Sequence, residues 1–280
     1  MNDMTARIAF QGEPGAYSHQ ACREARPDME AVSCGTFEDV IETVRNGDAE
    51  LAMLPIENST YGRVADIHRL MPASGLNIVA EAFVRVHINL LAVPGTQIKD
   101  VKTALSHTVL LGQCRDFLRQ HGISPLAAAD TAGSAQHIAE LADPSQAALA
   151  SELAAEIYGL EVLALHIEDQ KHNTTRFLLM AREPDHRRRG EAGMITSFVF
   201  RVRNIPAALY KATGGFATNG VNMTKLESYM VDGSFSATQF YADVEGHPDD
   251  RNVKLALEEL DYFTSQMTLL GVYPADPRRR

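Results

Sequence analysis

The chain has no tryptophan and only three cysteines, Cys22, Cys34 and Cys114, among 280 residues. Three thiols without a CxxC spacing make neither a disulfide framework nor a zinc site. Long apolar runs are missing too. The most apolar stretch, Leu76 to Pro94, is interrupted by Asn77, Glu81, Arg85, His87 and Asn89, whereas a membrane helix needs about 20 nearly uninterrupted apolar residues. No apolar segment of signal-peptide length lies near Met1, so a reducing cytoplasm is the expected location. Basic residues are in deficit: 26 Lys plus Arg against 36 Asp plus Glu give a net charge of −10. That balance argues against nucleic acid as the main partner, because phosphate binding is driven by Lys and Arg. A small anion held by local positive groups stays open. There is no G-x-G-x-x-G, G-x-x-x-x-G-K-[ST], H-E-x-x-H or G-x-S-x-G, hence no obvious site for a dinucleotide, nucleoside triphosphate, catalytic zinc or hydrolase nucleophile. The ten histidines show no metal-ligand spacing. No cofactor, metal or membrane is expected.

What is present is an ordinary globular composition, 45% hydrophobic and 22% charged, in a chain long enough for one large or two medium domains. The strongest break is Glu183-Pro-Asp-His-Arg-Arg-Arg-Gly-Glu-Ala-Gly193, charged and rich in Pro and Gly. It reads as a linker over 184–193. Before it, over 7–183, strand-like and helix-like segments alternate: strands at Arg7 to Phe10, Leu51 to Ile56, Val101 to Leu105, Ala147 to Ala150 and Arg176 to Ala181, and part-strand character from Ile78 to Val93. Helices fall at Ala16 to Ala25, after a Thr36 cap with the face Phe37, Val40, Ile41, Val44, at Arg63 to Met71, Thr108 to Gln120, Ala132 to Leu141 and Glu152 to Tyr158. Repeated βα units imply open, mostly parallel sheets covered by helices, in an α/β fold. After the linker, 194–273 reads strand, helix, strand, strand, helix, strand, with Pro206 opening the first helix and Asp232-Gly233 joining the middle strands. That order describes a ferredoxin-like βαββαβ domain.

Small hydroxyl or amide residues recur where strands turn into helices: Ser18, Asn58 with Ser59, Ser106 with His107, Thr131 with Ser134, and Ser151. Each alone could be a helix cap. Five at successive strand ends would ring a cleft with donors and helix N-termini, a place for an anion. Arg176 adds a planar fork matching a carboxylate.

Gly12-x-x-Gly15-Ala-Tyr-Ser18, Pro55-Ile-Glu-Asn-Ser59 with Gly62, Ser106-His107 with Gln113-Cys114, and Asn173-x-Thr175-Arg176-Phe177 resemble, in order, the signatures of the prephenate dehydratase family. The tail, above all Gly220-Val-Asn-Met-Thr-Lys-Leu-Glu-Ser228, resembles an ACT domain. The match spans about residues 7–273, and with no chorismate mutase segment ahead of it the chain resembles the monofunctional form. The resemblance implies a two-lobed catalytic part like periplasmic binding proteins over 7–183 and an ACT domain over 194–273. It implies conversion of prephenate to phenylpyruvate, carbon dioxide and water, with Thr175, Glu57 and Asn58 in catalysis. Arg176, Ser59, Ser18, Ser106, His107, Gln113, Thr131 and Phe177 are the implied substrate contacts. It further implies phenylalanine as effector, in a homodimer or homotetramer, near Ala207, Ala208, Leu209, Asn222, Leu226, Glu227 and Ser228. Two effector segments depart from the family: Ala207-Ala-Leu-Tyr210 stands for Gly-Ala-Leu-Val, and Glu227-Ser-Tyr-Met230 for Glu-Ser-Arg-Pro. The alternatives are arogenate as substrate, a non-catalytic amino-acid sensor, and a solute-binding protein.

Overall fold

The computed structural model describes residues 6–187, 193–230 and 237–279. Residues 188–192 of the expected linker, the turn Asp232-Gly233 and Arg280 lie outside the described residues. The elements run β1 (Arg7–Gln11), α1 (Tyr17–Ala25), β2 (Glu30–Cys34), α2 (Phe37–Asn46), β3 (Leu51–Asn58), β4 (Gly62–Arg63), α3 (Ala65–Leu70), β5 (Asn77–Arg85), β6 (Asn89–Ala92), β7 (Thr103–His107), α4 (Thr108–Gln113), α5 (Arg115–His121), β8 (Ser124–Ala128), α6 (Ala132–Leu141), β9 (Gln146–Ala150), α7 (Glu152–Tyr158), β10 (Glu161–Ala164), β11 (Thr174–Ala181), β12 (Met194–Arg201), α8 (Ala208–Thr218), β13 (Met223–Met230), β14 (Ala237–Glu245), α9 (Arg251–Phe263) and β15 (Gln266–Pro274). This is a mixed α/β fold with two sheets. Two compact units form: Met1–Val64 with Phe83–Phe177, and Ala65–Ala82 with Leu178–Arg280. The second unit thus takes in residues 65–82 and 178–183 besides 194–273. No helix among the described residues is long and apolar enough to cross a membrane.

In the first unit β1 lies between β2 and β3, parallel to both. Ile8, Ala9 and Phe10 are fully buried there, as residues covered on both faces of a parallel sheet must be. Helix α2 forms because Thr36 caps it, with Asp39 closing a capping box, and because Val40, Ile41 and Val44 share one buried face. The second sheet has the order β10-β6-β9-β7-β8. Here the expectation of mostly parallel sheets is corrected. Strand β7 is parallel to β8 and β9, but β6 runs antiparallel to β9 and β10 antiparallel to β6. Strand β6 follows β5, a strand of the other sheet, and no single crossover helix joins β6 to its neighbours β9 and β10, so nothing obliges it to run parallel to them. The helix expected over Thr108 to Gln120 is two helices, parted at Cys114 by a non-helical φ of −123°.

In the second unit the segment from β12 to β15 runs strand, helix, strand, strand, helix, strand, and the sheet order is β13-β14-β12-β15-β5. Phe198, Phe200, Phe216 and Phe240 centre its core, with Ala212, Val253, Ala256 and Leu260 from α8 and α9. Strand β15 meets β5 at Gly271 and Ile78, so closely that a Cβ on Gly271 would lie 2.2 Å from the Ile78 carbonyl oxygen. Pro206 does not open α8 as expected. Ala207 stands before the helix in the left-handed region, with φ 61°, which breaks the helical path between Pro206 and Ala208.

One polar group is decisive for this core. The carboxylates of Glu81 and Asp243 are fully buried, and Arg279 reaches both: Nε to Glu81 Oε1 at 2.9 Å, Nη2 to Glu81 Oε2 at 3.0 Å and to Asp243 Oδ2 at 3.0 Å. Removing one partner of a buried ion pair leaves charge in low dielectric and costs about 3–5 kcal/mol. Arg279→Ala is therefore expected to lower unfolding stability by about that amount in denaturant titration, and adding Glu81→Gln to it is expected to recover part of the loss.

Candidate active site

The candidate site lies in the first unit, where β3 and its sheet neighbour β11 carry the residues singled out above. Strand β3 begins as a buried apolar run, Leu51 to Leu54, and ends in Glu57 and Asn58. The chain then turns back into β4, pairing Glu57 with Arg63 and Asn58 with Gly62. The turn is an Asx turn: Asn58 Oδ1 accepts from the backbone N–H of Thr60 at 2.9 Å and of Tyr61 at 3.0 Å. Ser59 sews it to β11. Its hydroxyl donates to the His172 carbonyl at 2.5 Å and accepts from the Thr174 N–H at 3.0 Å, and its own N–H donates to the Thr174 carbonyl.

These ties bring the side chains together in two pairs. Asn58 Nδ2 donates to Thr175 Oγ1 at 3.0 Å and to Asn173 Oδ1 at 2.7 Å. Asn173 Nδ2 donates to Gln113 Oε1 at 2.9 Å. The other pair is Arg176 Nη1 to Glu57 Oε1 at 3.0 Å, with the arginine side chain 4% exposed. Successive residues of a strand point to opposite faces. Asn58 with Thr175 and Glu57 with Arg176 accordingly fall on opposite faces of β3 and β11. Glu57 and Thr175 therefore lie on opposite faces, and the guanidinium fork of Arg176 is engaged by Glu57.

The remaining strand-end groups divide. Gln113 joins the amide chain. Ser106 is fully buried and its hydroxyl donates to the Leu149 carbonyl at 2.7 Å, while Phe177 is 1% exposed. His107 caps α4, its Nδ1 accepting from the Val109 N–H at 3.3 Å. Thr131 precedes α6 without a side-chain cap, Asp130 taking the Gly133 N–H instead. Ser134 donates to the Asp130 carbonyl and Ser151 caps α7. Ser18 sits half-buried in the first turn of α1. Gly15 needs to be glycine: its φ is +93°, and a Cβ would come within 2.8 Å of Ala154 Cα. Asn173, 2% exposed, is the functional candidate that residue-by-residue reading left out, although it opens the quoted Asn173-x-Thr175-Arg176 segment.

The expected effector residues lie in the second unit. Ala207, Ala208 and Leu209 form the left-handed turn and first turn of α8. Asn222 precedes β13, and Leu226, Glu227 and Ser228 lie on that strand at the sheet edge, Glu227 paired with Lys225 at 2.9 Å. A cavity of about 410 Å³ opens beside the α8 turn, lined by Arg203, Pro206, Ala208, Lys211 and Tyr262 among others. Among the described residues no group of three or more His, Cys, Asp or Glu is placed to hold a metal ion.

The sequence model of the prephenate dehydratase family matches residues 8–185. The chain belongs to the prephenate dehydratase family. It is thus a lyase that removes water and carbon dioxide from prephenate. It is 51% identical, over 98% of this chain and 97% of the relative, to a Komagataeibacter europaeus protein named bifunctional N-acyl-homoserine lactone acylase/prephenate dehydratase. It is 39% identical to arogenate dehydratase/prephenate dehydratase 1 of Arabidopsis thaliana, over 98% of this chain and 74% of that protein. A solved structure described as GqqA, a novel type of quorum quenching acylases, matches with a TM-score of 0.92 at 51% identity, over 98% of this chain and 100% of that one. The prephenate dehydratase of Arthrobacter aurescens, solved in complex with L-Phe, matches with a TM-score of 0.87 at 30% identity, over 96% and 90%.

Burial pushes the Cys22 thiol up to about 12, and burial followed by the charges of Asp169 and Glu168 pushes that of Cys114, next to Gln113, still higher. With Cys34 only half-buried, a thiol reagent at pH 8 is expected to label Cys34 first, and Cys22 and Cys114 only on unfolding, as read by peptide mass spectrometry.

Proposed function

We propose that turnover of prephenate depends on Thr175 as the hydrogen-bond or proton donor to the departing ring hydroxyl. The observation that carries this is the Asn58–Thr175 contact, which gives the Thr175 oxygen a donor and leaves its own hydrogen for a substrate. Loss of carbon dioxide pushes its bonding pair into the ring and expels hydroxide, which takes a proton to leave as water. Restoring the aromatic ring supplies the driving force, so the protein has to bind a dianion and assist that oxygen. Such assistance is worth about 10²–10⁴-fold. Asn58 positions Thr175, and Gln113, Ser18, Ser59, His107 and Thr131 are the polar groups assigned to binding. The pair Glu57 and Arg176 holds β3 to β11 from the other face.

The finer reading keeps two lobes like periplasmic binding proteins for catalysis, and an ACT domain over 194–273 that answers to phenylalanine in a cytoplasmic homo-oligomer. The βαββαβ order and the L-Phe complex of the Arthrobacter relative support it. Prephenate stands ahead of arogenate, with the arogenate-named plant relatives marking the alternative. In an assay of phenylpyruvate formation, Thr175→Val is expected to lose at least about 100-fold in kcat, Glu57→Gln less than about tenfold, and phenylalanine is expected to reduce wild-type turnover. Wild-type protein that turns over arogenate but not prephenate would replace the substrate.

A second reading has its own observation. The Komagataeibacter relative named for two activities is matched almost end to end. We infer a second activity, hydrolysis of the amide of an N-acyl-homoserine lactone to a fatty acid and homoserine lactone. Mass spectrometry of such a mixture is expected to show both products; neither appearing over many hours would remove this reading.

A further inference from the structure

We propose that Asn173 is a positioning residue for the dehydration, acting at the centre of a chain of amides whose direction is set by the backbone. This rests on the reading of Thr175 as donor. A backbone N–H can only donate, so the Asn58 atom facing the N–H groups of Thr60 and Tyr61, at 2.9 and 3.0 Å, is its oxygen. Its nitrogen must then face Asn173 and Thr175. Both amide hydrogens and both oxygen lone pairs of Asn58 are thereby used. Since Asn58 donates to Asn173, the Asn173 atom facing it is oxygen, and the Asn173 nitrogen donates to Gln113 Oε1. The direction runs without a free choice: N–H of Thr60 and Tyr61 to Asn58, Asn58 to Thr175 and to Asn173, Asn173 to Gln113.

The consequence is chemical. Thr175 Oγ1 receives a hydrogen and so presents its own. Were Asn58 turned over, its oxygen would accept from Thr175 and withdraw that hydrogen from the substrate. Asn173 prevents this locally, because its oxygen lies 2.7 Å from the Asn58 nitrogen in a place 2% exposed, where two facing oxygens would carry a desolvation cost. Asn173 acts through Asn58 and Thr175 on the step in which the hydroxyl leaves. It also turns the Gln113 oxygen inward, which leaves the two hydrogens of the Gln113 amide nitrogen outside the chain.

The test compares two isosteric substitutions. Asn173→Asp keeps the oxygen that Asn58 needs, and Gln113 can turn over to donate to it. Asn58→Asp keeps the acceptor for Thr60 and Tyr61 but offers Thr175 an oxygen, so the threonine hydrogen is drawn inward. Measured with prephenate, Asn173→Asp is expected to keep kcat within about tenfold of wild type, and Asn58→Asp to lose at least about 100-fold with KM within about threefold. Asn173→Ala is expected to fall between them. A packing role treats the two aspartates alike, since each replaces one NH₂ by one oxygen within the same chain of amides, so equal kcat values in folded proteins, checked by thermal unfolding, would overturn the proposal. Wild-type kcat in Asn173→Ala would do so as well. Thr175→Val separates the layers: if it retains turnover, the donor reading itself fails; if it is inactive while the two aspartates match, only the positioning role of Asn173 fails.

Discussion

The amide oxygen of Asn58 takes two backbone hydrogens, from Thr60 and Tyr61, and the polar groups around it must accommodate that choice. An amide has one acceptor end and one donor end, so fixing the first fixes the second. The turn after β3 therefore determines which way Asn173, Gln113 and Thr175 are polarised, although none of them belongs to that turn. Ser59 keeps the arrangement in register by tying the turn to residues 172 and 174. The polar groups of this candidate site are amides and a hydroxyl oriented by their own hydrogen bonds.

The buried run Leu51 to Leu54 makes that orientation dependable. A slip of one residue in β3 would exchange the faces of Glu57 and Asn58 and force Leu51 to Leu54, buried on both faces of the strand, to repack. Core packing and active-site geometry are thus one constraint. The same alternation explains why two adjacent residues with expected roles in one reaction, Thr175 and Arg176, end with different partners on different faces.

The second unit follows a different logic. Its core is aromatic, with Phe198 stacked on Phe216 and Phe200 on Phe240, and two buried carboxylates are tied together by Arg279. Ala207 holds a left-handed φ of 61° just ahead of α8. An L-residue there costs about 1–2 kcal/mol relative to the right-handed region, and the family pattern places glycine, which escapes that cost. The departure noticed in the sequence thus falls on a position with a demanding backbone conformation.

Much of this was legible in the residues. The Thr36 cap and the face of α2, the βαββαβ order, and the dehydratase signatures all rest on local periodicity or on short motifs, and sequence carries those directly. Strands β2, β8 and β10 went unread. Each lies at an edge of its sheet, β8 largely exposed and β2 without a buried residue, and edge strands lack the apolar alternation that reveals interior ones. The sequence by itself determined the family, the chemistry available and the candidate residues, because these depend on which side chains exist and in what order. Only the tertiary structure decided that Glu57 belongs to Arg176, that Ser106 is tied to a neighbouring strand, and that Asn173 stands between Asn58 and Gln113. Those pairings join residues 43 to 119 positions apart, and at such separations it is the packing of strands, not the local pattern, that selects the partner.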